Sequence, residues 1–403
     1  MYKNRSNLIT LITLVVVTSI VSFTISAFVF IGWNKLNPDS ISFDTKVVSK
    51  ENITKFNQVR DILKSQYYKG VDENIMLEGA IAGMAESLGD RYTAYYPKEK
   101  WQVFEQELEG SFVGIGVTVK MDSDGLLTIM DIYEDSPAQK SGVLPGDKVV
   151  KVDGTDVTKM EEDAIIKLIR GKEGTKVKIT IFRESETRFV DIDITRQKIK
   201  EENIKSKLIS NNIGYIKLVK FDSEIAKYFE KSLNKLIDKG IKGLIIDVRD
   251  NPGGYYRQVV DVADLLLPKC TIVYTEDKYR KKEFEYSDSN QIKLPIVVLV
   301  NGNSASASEI LAGAIKDNKR GILVGTKTYG KGLVQASFTL DDGSGIKLTV
   351  QRYFTPSGVC IQGKGIEPNE VINLPEKYQN IPVSRIPAEE DTQLQKAIEM
   401  MRN

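Results

Sequence analysis

Any chemistry in this 403-residue chain must be done without histidine, because the sequence contains none. That removes the usual general base, the usual zinc ligand and any Ser-His-Asp arrangement. Cys270 and Cys360 are the only thiols, so a zinc centre of the Cys/His kind is excluded too. No metal or cofactor is expected, and proton transfer falls to Lys, Asp, Glu or Tyr. One segment stands out. The apolar run Ile296 to Val300 enters a turn of small residues, Asn301 to Ala305, and Ser306-Ala307-Ser308-Glu309 then opens a helix. Serine followed three positions later by glutamate reads first as a capping box. The same placement also puts a hydroxyl where the helix dipole and free N–H groups favour a developing oxyanion.

A second segment, Gly325-Thr326-Lys327-Thr328-Tyr329-Gly330-Lys331-Gly332, nearly matches a nucleotide-binding P-loop. It fails at Gly332, where Mg²⁺ would need a hydroxyl. The run Leu333 to Phe338 that follows reads as a strand, so no helix N-terminus would face the phosphates. Ser232-Leu233-Asn234-Lys235 has the spacing of Ser-x-x-Lys hydrolases but lies in the middle of a helix, with no Ser-Asp-Asn or Lys-Thr-Gly partner. Taken together, Ser304 to Ile310 and Gly325 to Gln335 resemble the signature of the carboxyl-terminal processing peptidases, the tail-specific or S41 family. The resemblance implies Ser306 as nucleophile, Lys331, 25 positions on, as general base, and Gln335 as third member. On a strand, positions 331 and 335 would project to one face. Asp247-Val248-Arg249-Asp250-Asn251-Pro252-Gly253-Gly254 resembles the family's strand-end loop, which implies an oxyanion hole from the N–H groups of Gly253 and Ala307. Asp250 stands where the family would have asparagine. Tyr353 to Gly358 and Gln362 to Pro368 match as well, and the likeness spans roughly residues 50 to 403. A lysine of ordinary pKa, about 10.4, is protonated at neutral pH and useless as a base. The mechanism implied therefore needs burial to depress it. The neutral amine takes the Ser306 proton, and an acyl-enzyme forms and is hydrolysed.

The elements that must position these groups show in the periodicity. From Asn211 onward strands and helices alternate: Ile213 to Leu218, Ser223 to Lys239, Leu244 to Val248, Tyr255 to Leu267, Ile296 to Val300, and a helix from Ser306. Such alternation predicts a mostly parallel sheet covered by helices. Glu51 to Leu108 reads as helical, with Val59, Ile62 and Leu63 on one face and Ile75, Leu77, Ile81 and Met84 on one face of the next segment. Leu88-Gly89-Asp90 ends that second helix, and Trp101 to Leu108 starts a further short one. Between 110 and 197 short strands and Gly/Asp turns take over, interrupted by a helix from Glu161 to Arg170. Asp391 is placed to cap a last helix, Thr392 to Met401.

This middle region resembles a PDZ domain. Gly114-Ile115-Gly116-Val117 is similar to the carboxylate-binding loop, whose N–H groups would meet a peptide's C-terminus. Ser136-Pro137-Ala138 leading to Gly146-Asp147 resembles the turn before a PDZ strand, and Ile165 and Ile169 are expected to wall the groove. A ligand would add as a strand beside Ile115 to Val119. Arg170, at the end of the groove helix, is a candidate regulatory contact. Leu8 to Trp33 carries no charged residue, and Lys3 and Arg5 precede it. That predicts an uncleaved single-pass anchor in a bacterial cell membrane, with everything after Asn34 on the extracytoplasmic side. The alternative is a cleaved signal peptide, disfavoured by the long apolar run and the lack of a clean small-x-small site. The expected layout is an α+β/α/β multidomain chain: anchor 1–34, linker and helical region 35–109, PDZ domain 110–197, peptidase core 198–374, and linker and helix 375–403. With 56 basic against 55 acidic residues, nothing suggests nucleic acid as partner. The expected partners are protein substrates held by their C-termini, the membrane, and a second copy of the chain in a homodimer. The competing expectation is a catalytically silent PDZ adaptor that only captures C-termini.

Overall fold

The computed structural model describes residues 50–209, 212–379 and 381–402. The apolar run Leu8 to Trp33, expected to cross the bilayer, lies outside them. No helix among the described residues is long and apolar enough to cross a membrane. The chain divides into two compact units after Ala80. In the first, α1 (Lys50–Gln66) precedes the start of α2 (Glu73–Glu86), which runs on past the division. Val59, Ile62, Leu63, Ile75, Leu77 and Met84 all remain exposed.

In the second unit β1 (Ala94–Tyr96) lies between the helix expected to end at Leu88-Gly89-Asp90 and the one expected to start at Trp101. Tyr96 precedes Pro97, and a residue before proline is pushed towards extended backbone. Pro97 then caps α3 (Lys98–Glu109), which buries Trp101. Next come β2 (Ser111–Gly114), β3 (Val117–Met121), β4 (Leu127–Ile132), the single turn α4 (Pro137–Lys140), β5 (Lys148–Val152) and β6 (Thr155–Asp156). This region continues through α5 (Glu162–Ile169), β7 (Lys176–Arg183), β8 (Arg188–Thr195) and β9 (Gln197–Lys200). Strands β3, β4, β5, β7 and β8 are neighbours in that order. Alternate residues of β7, Val177, Ile179 and Ile181, enter a core shared with Ile129, Val149 and Ile165, as period-2 patterning demands. The alternating run Phe112 to Val119 is broken as a strand at Ile115-Gly116. β2 leaves that sheet and pairs with β9, Gly114 opposite Gln197, as a two-stranded ribbon.

The remainder runs β10 (Ile204–Ile209), β11 (Ile213–Leu218), α6 (Ile225–Asp238), β12 (Gly243–Asp247), α7 (Tyr256–Asp264), β13 (Thr271–Asp277) and β14 (Lys282–Tyr286). It continues with β15 (Ile296–Val300), α8 (Ala307–Asp317), β16 (Ile322–Gly325), β17 (Leu333–Thr339), β18 (Gly345–Phe354), β19 (Glu370–Val371) and α9 (Thr392–Met400). One sheet has the order β10-β11-β12-β15-β16-β19. It is parallel except for edge strand β10. β12 and β15 are buried along their whole length, as parallel strands covered on both faces should be. α6, α7 and α8 cover one face, and Leu394, Ala397 and Ile398 of α9 meet Ile245, Val297 and Leu299 on the other. A second sheet, antiparallel throughout, has the order β1-β18-β13-β14 with β17 also paired to β18. The sheets are therefore mixed, where one mostly parallel sheet was expected. Cys270 and Cys360 are both free thiols.

Candidate active site

β12 and β15 are parallel neighbours, Ile246 beside Val298, so the loops leaving their C-terminal ends lie side by side, where open α/β sheets build sites. The β12 loop carries Gly253 and the β15 loop delivers Ser306. Three bonds lace them together. Ser304 Oγ donates to the Val248 carbonyl at 2.8 Å, while the Ala305 N–H and Ser308 Oγ both donate to the Asn251 carbonyl at 3.0 Å. Ser306 is the N-cap of α8 and has φ 55°, a left-handed backbone that costs a residue with a Cβ and persists only where its surroundings hold it.

Glu309 is what holds it. The side chain is completely buried. Its Oε2 accepts the Ser306 N–H at 2.9 Å and the Lys331 N–H at 2.8 Å. Its Oε1 accepts the Thr328 hydroxyl at 2.6 Å and the Gly330 N–H at 2.7 Å. One carboxylate thus ties the two segments singled out in the sequence. Burial pushes its pKa up, against the pull of the donors, Thr328 foremost. The sequence offered Glu309 only as a capping residue. Its reach to Gly330 and Lys331 had no local signature, since Ser-x-x-Glu looks the same whether or not a second segment docks on the glutamate. Tyr353 completes the cross-link, its one hydroxyl proton within reach of both the Ser306 carbonyl, at 3.0 Å, and the Lys331 carbonyl.

Ser306, Ala307, Lys331, Gln335, Gly253 and Gly254 line one cleft of about 690 Å³. Glu105 and Glu109 of α3 also line it. The Lys331 ammonium group lies 4.9 Å from the Tyr92 ring centroid. Burial holds its pKa below the ordinary lysine value, Lys347 and Arg91 push the same way, and Glu309 and Asp90 oppose them. Gln335 shares the cleft, but its Nε2 donates to Thr349 Oγ1 at 3.4 Å. Among the described residues no hydrogen bond joins the side chains of Ser306, Lys331 and Gln335 to one another. Catalytic contacts often tighten only with substrate bound.

The glycine loop differs from expectation in one donor. The Gly253 N–H is already given to Asn251 Oδ1 at 2.9 Å, because a short Asx side chain readily captures the N–H two residues on. Among the described residues no acceptor meets the following Gly254 N–H or that of Ala307. A Cβ on Gly254 would sit 2.1 Å from the Phe221 carbonyl oxygen, and one on Gly253 would sit 2.8 Å from Ser306 Cβ. Both glycines are demanded by close backbone approach.

In the middle region Gly114, Ile115, Gly116 and Val117 border a groove of about 170 Å³ with Ile166, Ile169 and Arg170. Among the described residues the N–H groups of Ile115 and Gly116 make no hydrogen bond. Ile165, expected in the groove wall, is instead 1% exposed in the core, and Ile166 takes its place. One residue along a helix turns about 100°, enough to exchange core for groove. The Arg170 guanidinium lies 5.4 Å from the Phe112 ring centroid at the groove's end.

Family models match this chain as peptidase family S41 over residues 212–372, as a PDZ domain over 113–194, and as the N-terminal domain of activating protease CtpB over 27–100. The carboxy-terminal processing protease CtpA of Bacillus subtilis (strain 168) is 36% identical over 376 residues, 93% of this chain and 78% of the relative. A protein of Staphylococcus haemolyticus named "Probable CtpA-like serine protease" is 37% identical over 83% of this chain and 67% of its own length. Among solved structures, the photosystem II D1 C-terminal processing protease is 30% identical, with a TM-score of 0.49 over 80% of this chain and 89% of that one.

Proposed function

The chain belongs to peptidase family S41, as a carboxy-terminal processing serine protease with a PDZ domain, and from that premise we propose that Ser306 and Lys331 carry its chemistry. The observation that bears most weight is the Glu309 carboxylate, which accepts from the backbones of both Ser306 and Lys331, two residues that line one cleft. The desolvated Lys331 amine takes the Ser306 proton, and Oγ attacks the scissile carbonyl. The oxyanion falls to the Ala307 N–H at the α8 N-terminus and to the glycine loop, with the Gly254 N–H ready and the Gly253 N–H engaged by Asn251. Gln335 orients the amine once it turns from Thr349. Protonated Lys331 returns its proton to the leaving amine, and water then hydrolyses the acyl-enzyme.

The PDZ groove receives the substrate's C-terminal carboxylate on the unpaired N–H groups of Ile115 and Gly116, with the last side chain against Ile166 and Ile169. Arg170 couples groove occupancy to activity. The N-terminal run Leu8 to Trp33 anchors the molecule with its catalytic part outside the cytoplasm, and a second copy pairs with the first. A purely adaptor role gives way to catalysis, the groove serving the protease.

The test is cleavage of an unfolded protein by the full chain. Ser306→Ala and Lys331→Ala should each lower kcat by roughly 10⁴-fold or more. Full activity in the serine variant would end the reading. Activity surviving only in the lysine variant would assign the base to a carboxylate.

A further inference from the structure

The group that meets the Lys331 amine is an aromatic face. We infer that Tyr92 is a positioning residue for the general base, its ring holding Lys331 Nζ and setting where on the pH scale that nitrogen gives up its proton. The inference rests on Lys331 being the base, as proposed above.

Tyr92 comes from the loop between α2 and β1, far from both catalytic segments in sequence, and nothing in the spacing of Ser306, Lys331 and Gln335 points to it. The loop is built to present the ring. Asp90 Oδ1 accepts the Tyr92 N–H at 3.0 Å and Asp90 Oδ2 accepts the Thr93 hydroxyl at 2.7 Å. Buried Thr93 in turn accepts the Thr349 N–H at 3.1 Å, and Thr349 is the residue that Gln335 donates to. β1 continues the docking by pairing with β18, Ala94 opposite Lys347. At the ring's other end Arg91 Nη2 donates to the Tyr92 hydroxyl and, at 3.1 Å, to that of Tyr329. The Arg91 guanidinium carbon also lies 4.7 Å from the Tyr92 centroid. The ring is thus fixed by its backbone, its hydroxyl and a stacked guanidinium.

A cation within about 6 Å of an aromatic centroid is attracted by the ring quadrupole, more strongly where water is excluded. At 4.9 Å Lys331 Nζ is inside that range. The charged groups facing it are Lys347 from β18 and Arg91 from the loop, which disfavour its proton, and Glu309 from α8 and Asp90 from the loop, which favour it. Burial disfavours the proton most. The ring is the uncharged counterweight. It keeps a desolvated ammonium tolerable until substrate arrives, and it holds the amine at one place on the cleft wall.

The experiment is the pH dependence of kcat/KM for a short peptide, measured on the full chain, with thermal unfolding recorded for each variant. Tyr92→Leu keeps an apolar cover but removes the quadrupole, and should move the acid limb about half a unit to one unit lower. Pentafluorophenylalanine in place of Tyr92 keeps ring size and reverses the quadrupole, and should move the limb the same way without loss of Tm. Tyr92→Phe, which keeps the ring, should restore the wild-type limb. A fluorinated variant whose profile superimposes on that of Tyr92→Phe overturns the inference, as does a Phe variant displaced as far as the Leu variant. Lys331→Ala assayed alongside separates the two failures. If that variant stays active the base assignment is wrong, whereas an inactive Lys331→Ala beside unmoved Tyr92 profiles defeats only the role of the ring.

Discussion

At the scale of single residues, the site depends on two groups whose charge is unwelcome where it sits. Lys331 has a pKa held below the unfolded value of about 10.4, chiefly by burial. Between the folded and unfolded values the unfolded chain binds a proton that the native state has shed, so stability rises with pH across that window. Below it the native state carries a poorly solvated ammonium. Lys331→Met should therefore be inactive yet about 1 kcal/mol more stable at neutral pH, with a flatter dependence of stability on pH. Urea unfolding at several pH values measures this, and a less stable Met variant would contradict it. Glu309 has the opposite character, since its carboxylate satisfies four donors. Glu309→Ala strands buried N–H groups and should cost about 2–4 kcal/mol. Activity should fall further than stability explains, because Ser306 and Lys331 lose their common tether. As candidates for the site, Ser306 and Lys331 were legible from residue type, spacing and the family signature. Glu309 and Tyr92 were not, because a cap motif does not announce a second partner and a lone tyrosine carries no pattern.

Elements give the site its frame, and here a buried ionic cluster does the fastening. Arg249, just past β12, donates to Asp247 at 2.7 Å and to Asp391, the N-cap of α9, at 2.8 Å. Burial alone would raise the Asp247 pKa, but Arg249, Lys217 and the Tyr215 hydroxyl together hold it below the ordinary carboxylate range. The C-terminal helix is thereby pinned to the strand that launches the glycine loop. Asp391→Ala removes a cap and leaves Arg249 partly unpaired, which should cost about 3–5 kcal/mol, read as a lower urea midpoint. Gly254→Ala should fail for another reason. Its Cβ would collide with the Phe221 carbonyl at 2.1 Å, so the loop must shift and kcat should drop even in the fraction that folds. The cap at Asp391 and the strands β11, β12 and β15 were visible in the sequence because capping chemistry and apolar runs are local. The antiparallel sheet of β1, β13, β14, β17 and β18 was not, since pairings such as Ala94 with Lys347 join segments too distant for any periodicity to link.

Across the whole molecule, the β2–β9 ribbon decides how separable the PDZ region is. Gly114 lies opposite Gln197, so both chain connections leave through one narrow stalk. Replacing Ile115 to Arg196 by an Asn-Gly turn would close that ribbon as a hairpin. The expected product unfolds cooperatively and still cleaves short peptides. If the groove holds substrate C-termini, it should no longer distinguish a free C-terminal carboxylate from its amide in KM, whereas wild type should. A variant that still prefers the free acid would place carboxylate recognition elsewhere. The bond pattern of Glu309 has a different consequence at this scale. A single buried side chain fastens the backbones of the proposed nucleophile and base, so a movement that carries one carries the other. On the proposed assignment, switching activity on and off does not proceed by pulling Ser306 and Lys331 apart. It has to act on what is free to move around a fixed pair: the swing of one amine, the glycine loop, and the path by which a polypeptide enters.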